Sequence, residues 1–114
     1  MTNKSYSFIG LARKAGKLVL GEMSCEKDIK NGKALLVIIA CDASENTRKK
    51  FENFCKYRKI PFLCFGEKEV FGRLLGKDVI SVIGITDARF AQRLIELVMD
   101  RQSNKKKHGG GLIE

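Results

Sequence analysis

The sequence predicts an α/β protein, a three-layer α/β/α sandwich on a four-stranded mixed sheet. Segments with apolar residues at helical spacing alternate with short apolar runs almost without exception, and the connections between them are short. The run from Ala34 to Cys41 is rich in Val, Ile and Leu without alternation and closes on the turn-forming Asp42. Such a strand is buried on both faces and needs a helix layer on either side. At 114 residues the chain is one domain, able to bury about two-thirds of its unfolded surface in a single core. A flavodoxin-like parallel arrangement is the alternative that the same pattern allows.

Ser5 to Ala15 places Phe8, Leu11, Ala12 and Ala15 at helical spacing, with Arg13 and Lys14 turned away and Gly16 as the stop. Lys17 to Leu20 is a short strand ending at Gly21. A helix follows from Glu22 to Asn31, packing through Cys25 and Ile29, and Gly32 leads into the central strand. Ser44 caps the next helix, whose inward positions are Thr47, Phe51, Phe54 and Cys55 and which ends near Arg58. Pro61, the single proline, introduces the strand Phe62 to Phe65. A helix from Glu67 to Leu75 turns Val70, Phe71, Leu74 and Leu75 inward, and Val79 to Ile85 is the last strand. Thr86 and Asp87 cap a final helix with Phe90, Ala91, Leu94 and Val98 on its buried face. The pattern ends after Met99. The folded domain is therefore expected over residues 1–101, and residues 102–114, with Lys105 to Lys107 and the glycines 109 to 111, as a basic disordered tail.

A net charge of +9 attracts polyanions, most simply nucleic acid or an anionic membrane. No apolar run approaches the roughly 18 residues of a membrane span, and the polar first residues do not read as a signal peptide, so a cytoplasmic protein is expected. Cys25, Cys41, Cys55 and Cys64 have no zinc-site spacing and all fall in expected core segments, which makes them buried, reduced thiols.

Catalysis finds little support. The one histidine, His108, lies in the tail, the carboxylates are scattered on helix surfaces, and Asp42 and Asp87 are explained as a turn former and a cap. Gly10 to Lys17 imitates a phosphate-binding loop, but five residues separate the glycines and Leu18 stands where Ser or Thr would hold magnesium. No cofactor and no metal are expected. A reactive cysteine would need a partly exposed thiol beside positive charge, and Cys25 comes nearest to that description.

A nucleic-acid binder needs clustered cations, backbone donors and an apolar surface for an unstacked base. Lys14, Lys17 and Lys27 belong to a lysine-rich stretch ending at Lys33. The helix opening at Gly21 has no evident side-chain cap, so its first N–H groups and positive dipole end suit a phosphate. If the strands before Gly21 and before Thr86 lie near each other, their exits form one cleft, polar and basic on the Gly21 side and apolar on the Ile85 side. Ile85 reads equally well as a core residue.

Together GLARKAGKLVLGE, GKALLVIIACDAS, NTRKKFENFCKYRKIPF, LLGKDV and ITDARFAQRL resemble the kink-turn RNA-binding ribosomal protein family of the L seven Ae and L thirty e type, in its bacterial YlxQ-type branch. The resemblance covers about Phe8 to Val98. It implies an α/β/α sandwich that binds RNA without catalysis, placing the first turn of the second helix at the sheared G·A pairs of a kink-turn and packing the loop after the last strand on an extruded nucleotide. On this chain the first group is Gly21, Glu22, Met23, Ser24 and Lys27, and the second is Ile85, Thr86, Asp87, Ala88 and Arg89. Met23 and Ser24 stand where the family usually has Asn-Glu, and Arg89 where the branch commonly has glycine; Lys27 keeps its place. The expected partners are structured RNA, ribosomal RNA or another kink-turn-like RNA, and the ribosome, bound by a monomer away from any membrane. The competing expectation is a protein-interaction module that keeps the fold and has lost RNA recognition.

Overall fold

The computed structural model describes the backbone of residues 4–109 and the side chains of residues 4–100. In chain order the elements are α1 (Lys4–Lys14), β1 (Leu18–Leu20), α2 (Glu22–Lys30), β2 (Leu36–Ile39), α3 (Glu45–Arg58), β3 (Phe62–Cys64), α4 (Lys68–Leu75), β4 (Val82–Ile85) and α5 (Ala88–Gly109). The sheet is mixed, in the order β1-β4-β2-β3. β4 runs antiparallel to both β1 and β2, whereas β2 and β3 are parallel. β1, β2 and β3 therefore point one way and β4 alone points back. The three-layer mixed sandwich is the observed fold.

Both faces of the sheet are covered, as the unalternating central run requires. Leu36, Ile38, Ile83 and Ile85 pack with Ile9 and Ala12 of α1, Phe71 and Leu75 of α4, and Ala91 and Leu94 of α5. On the other face Val37, Ile39 and Val82 meet Cys25 and Ile29 of α2 and Phe51 and Cys55 of α3. Gly84 is where α2 sits down on the sheet: a Cβ there would stand 3.0 Å from Val19 Cγ2 and 3.5 Å from Cys25 Sγ.

Three details differ from the sequence reading. The buried face of α1 is Ser5, Ile9 and Ala12, with Phe8 partly buried against Phe90; of the expected inward residues Ala12 and Phe8 do pack inward, whereas Leu11 is 54% exposed and Ala15 is exposed. α1 packs against both α4 and α5, and that double contact selects a face rotated from the one that Leu11 and Ala15 suggest. Leu74 is likewise 37% exposed. The last helix runs on to Gly109, past the expected end at Met99 and into the segment read as tail; residues 110–114 lie outside the described residues.

Candidate nucleic-acid interface

The direction of β4 decides which loops share an edge of the sheet. Because β1, β2 and β3 are codirectional, their carboxyl ends lie along one edge, and α2, α3 and α4 all start there. β4 begins at that same edge, with Leu20 opposite Ile83 and Gly21 N–H donating to the Val82 carbonyl at 3.1 Å. The loop beside the start of α2 is thus the α4–β4 loop, residues 76–81. β4 ends at the opposite edge, where the Thr86 N–H donates to the Lys17 carbonyl at 2.9 Å.

The cleft expected between the exits before Gly21 and before Thr86 is therefore not present. An antiparallel pair puts its two exits at opposite ends, about 13 Å apart for the four steps from Lys17 to Gly21. Gly21, Glu22, Met23, Ser24 and Lys27 form one group. Lys17, Ile85, Thr86, Asp87, Ala88 and Arg89 form another at the far edge, and Lys14, in the last turn of α1, lies next to it in the chain. Ile85, which the sequence allows equally as an apolar wall or a core residue, is the latter, fully buried opposite Leu18 and Leu36. Asp87 is the cap of α5: its Oδ1 accepts from the main-chain N–H of Arg89 at 2.9 Å and of Phe90 at 3.1 Å, and its Oδ2 lies 3.8 Å from Lys17 Nζ. Those bonds, the one from Phe90 first, hold its carboxyl below the ordinary carboxylate range.

Three helix N-termini meet at the first edge, and two are closed by the protein itself. Ser44 Oγ accepts from Thr47 N–H at 3.2 Å and closes α3. Asp42 Oδ1, reaching from the β2–α3 turn, accepts from Lys68 N–H at 2.9 Å and closes α4. α2 instead opens on Gly21, with φ 90° and ψ 160° and no side-chain cap. That backbone conformation is open to glycine and costly for any residue with a Cβ. The first N–H groups of α2 consequently have no side-chain cap, although the carboxylate of Glu22 lies in the same turn.

Charge around this terminus is sorted by face. Glu22 and Glu26 turn toward α3, where Lys50 Nζ lies 3.5 Å from Glu22 and 3.3 Å from Glu26, and Thr47 Oγ1 donates to Glu22 at 3.1 Å. Hydrogen bonds from Lys30 and Lys50 lower the pKa of Glu26. Lys27 takes no part in those ion pairs and lines a hollow with Met23, Glu26, Lys30 and Asn31. Among the described residues Lys27 and Lys14 have no carboxylate within ion-pairing distance. The apolar part comes from Met23, 86% exposed, and from Val79 in the neighbouring loop, 54% exposed. Lys77, separated from Val79 by Asp78 in that loop, is also exposed. Lys77 and Val79 were not among the residues nominated from sequence; Val79 reads there as the first residue of a strand, and only the direction of β4 reveals it as a loop residue beside Gly21.

A family model described as the ribosomal protein L7Ae/L30e/S12e/Gadd45 family matches residues 3–95. The chain belongs to that family. It is 41% identical over 93 residues to the RNA-binding protein YlxQ of Bacillus subtilis, covering 82% of this chain and 93% of the relative. The YlxQ of Enterococcus faecium is 44% identical over 96 residues, 83% of this chain and 91% of that one. Among solved structures, a Bacillus halodurans protein of unknown function superposes with a TM-score of 0.81 at 37% identity, covering 85% of this chain and 98% of its own. The Giardia lamblia 15.5kD RNA binding protein superposes with a TM-score of 0.69 at 22% identity, covering 90% and 92%, and so shares the fold.

The YlxQ relatives of this L7Ae/L30e-type chain are named as RNA-binding proteins, not enzymes, and the expectation of a non-catalytic chain stands with them. The thiol once nearest to a nucleophile is buried: desolvation, reinforced by Asp28, pushes Cys25 up to about 12, the reverse of what a reactive thiolate needs. Among the described residues there is no cluster of three or more His, Cys, Asp or Glu able to hold a metal, and no helix is long and apolar enough to cross a membrane.

Proposed function

We propose that this member of the L7Ae/L30e family binds structured RNA through the sheet edge where α2 begins, with the first turn of α2 on the phosphate backbone and the α4–β4 loop against a displaced base. The observation that carries this reading is the uncapped start of α2, with the exposed Met23 in its first turn, the exposed Val79 in the loop at the same sheet edge, and Lys27 one turn on without an ion pair among the described residues. Backbone N–H groups and lysine supply position and affinity. The apolar pair supplies a surface that an unstacked base can rest on. The RNA-binding relatives support the partner class. The finer reading is a bent or kink-turn-like RNA, encountered by a cytoplasmic monomer on the ribosome. Met23 and Ser24, in place of the family's Asn-Glu, offer fewer groups to guanine edges, so recognition leans on shape and backbone.

The test is fluorescence anisotropy with a kink-turn RNA and an unbent duplex of equal length at several salt concentrations. The kink-turn should bind at least about tenfold tighter, with log affinity falling steeply as log salt rises. Lys27→Ala should weaken binding about tenfold and lower the salt slope by about one, and Val79→Ser should weaken it by a similar factor with the slope unchanged. Lys17→Ala, Arg89→Ala and Lys49→Ala should each change affinity less than about twofold. Equal affinity for the two RNAs would favour the protein-interaction module, and larger losses at Lys17 or Arg89 would move the site to the opposite edge.

A further inference from the structure

The four cysteines divide into two kinds. Cys25 and Cys55 are buried, and burial pushes the Cys55 thiol up to about 11. Cys41 and Cys64 are exposed, contrary to the expectation of four core thiols: Cys41 lies in the turn after β2 and Cys64 is the last residue of β3, at the edge of the sheet. β2 and β3 pair in parallel with Ile39 opposite Cys64, and the Cys41 N–H donates to the Gly66 carbonyl at 2.8 Å. Cys41, in the turn just after β2, is thereby held beside Cys64 at the end of β3, and the Cys64 S–H donates to Cys41 Sγ at 3.5 Å. A disulfide needs an approach of only about 1.5 Å from there.

We propose that Cys41 and Cys64 form a redox-active dithiol that closes to an intramolecular disulfide by exchange with a low-molecular-weight disulfide. In the proposed order the thiolate of Cys64 attacks one sulfur of the small disulfide, forming a mixed disulfide and expelling one small thiolate. Cys41 then attacks the Cys64 sulfur, forming the Cys41–Cys64 bond and expelling the second. The two protons given up by the protein end on the two small thiols, so the protein loses two electrons and the small disulfide gains them. Cys41 can take the second role because its sulfur already touches that of Cys64. The site lies on the turn that carries Asp42 and Ser44, the groups closing α4 and α3. It does not depend on the RNA reading.

The experiment treats the full folded chain with glutathione disulfide at neutral pH and follows intact mass and non-reduced peptide maps. The expected product is lighter by two hydrogens, joins the peptides of Cys41 and Cys64, returns to the starting mass with dithiothreitol, and forms at least about tenfold faster than any modification of Cys25 or Cys55. Cys41→Ser should arrest at Cys64 carrying glutathione, and Cys64→Ser should give no internal link. Free thiols at both positions, separate glutathione adducts on each, or oxidation of the buried pair at the same rate would overturn the assignment. Because the wild-type chain alone distinguishes these products, the conclusion does not hang on either variant folding.

Discussion

Replacing Gly72 by alanine tests whether the α4–β4 loop is seated as described and whether it touches RNA. Gly72 is buried in α4, and a Cβ there would stand 2.2 Å from the Asp78 carbonyl oxygen, 2.6 Å from its carbon and 2.8 Å from the Lys77 oxygen. These are backbone atoms of the loop that carries Val79, tied down further by the Lys77 N–H donating to the Gly72 carbonyl at 2.7 Å. To reach even 3.0 Å the Asp78 oxygen must withdraw by about 0.8 Å. In a free helix the exchange would stabilise by about 1 kcal/mol. Here an overpacking cost of about 1–3 kcal/mol opposes it, leaving a net loss of about 1 kcal/mol and a displaced loop. Urea unfolding should show a lower midpoint with an unchanged slope. Anisotropy should show affinity for a kink-turn RNA falling about five- to tenfold, since a shift of this size takes Val79 out of contact with a base that contributes about 1–3 kcal/mol. A variant that gains stability and binds unchanged would refute both the packing of the loop and its place in the interface.

Three further outcomes are expected. The depressed folded pKa of Asp87 means that its cap stabilises the protein above the unfolded value near 3.8 and is lost as pH falls through the lower folded value; Asp87→Asn should remove that acid limb from a stability-against-pH curve measured by thermal melts. Phe51→Ala, at a fully buried position between α3 and the sheet, should cost about 3–5 kcal/mol in urea unfolding, and a loss below about 1 kcal/mol would contradict that packing. Met23→Asp should raise stability by about 0.5 kcal/mol while lowering RNA affinity more than tenfold, read by melts and anisotropy on the same preparation.

Most of the fold could be read from the residues because its signals are local. Ser44 announces α3 by a hydrogen bond spanning three residues, and the run from Ala34 to Cys41 declares two-sided burial without reference to the rest of the chain. What could not be read is the pairing of segments far apart in sequence. Nothing in Val79 to Ile85 states whether that strand runs with β2 or against it, yet this one choice moves Thr86 to Arg89 away from Gly21 and brings Lys77 and Val79 to it. The face of α1 was legible only in part for the same reason: Ile9, Phe8 and Leu11 are all apolar, and contacts with α4 and α5 select among them. Cys41 and Cys64 looked like core because each lies in an apolar run, whereas Cys41 falls in the turn after β2 and Cys64 at the end of the edge strand β3.

The reversed strand also determines how many helix ends compete for an anionic ligand. Were β4 parallel to its neighbours, α5 would start at the same edge as α2, α3 and α4, and four dipole ends would share it. As built, α5 starts at the other edge and is capped there by Asp87, while Ser44 and Asp42 close α3 and α4. Only the opening of α2 is left to a glycine, and Glu22 in its first turn is drawn toward Lys50 and Thr47 of α3. An added carboxylate at Met23 would occupy that vacancy from within. It costs little packing, because Met23 is 86% exposed, and it adds to the first turn a negative charge that, unlike Glu22, is not drawn toward Lys50. A phosphate arriving from outside would then meet a filled site and a like charge. Stability and affinity must therefore move in opposite directions at this residue if the start of α2 is where RNA binds, whereas a purely structural role for Met23 would move them together.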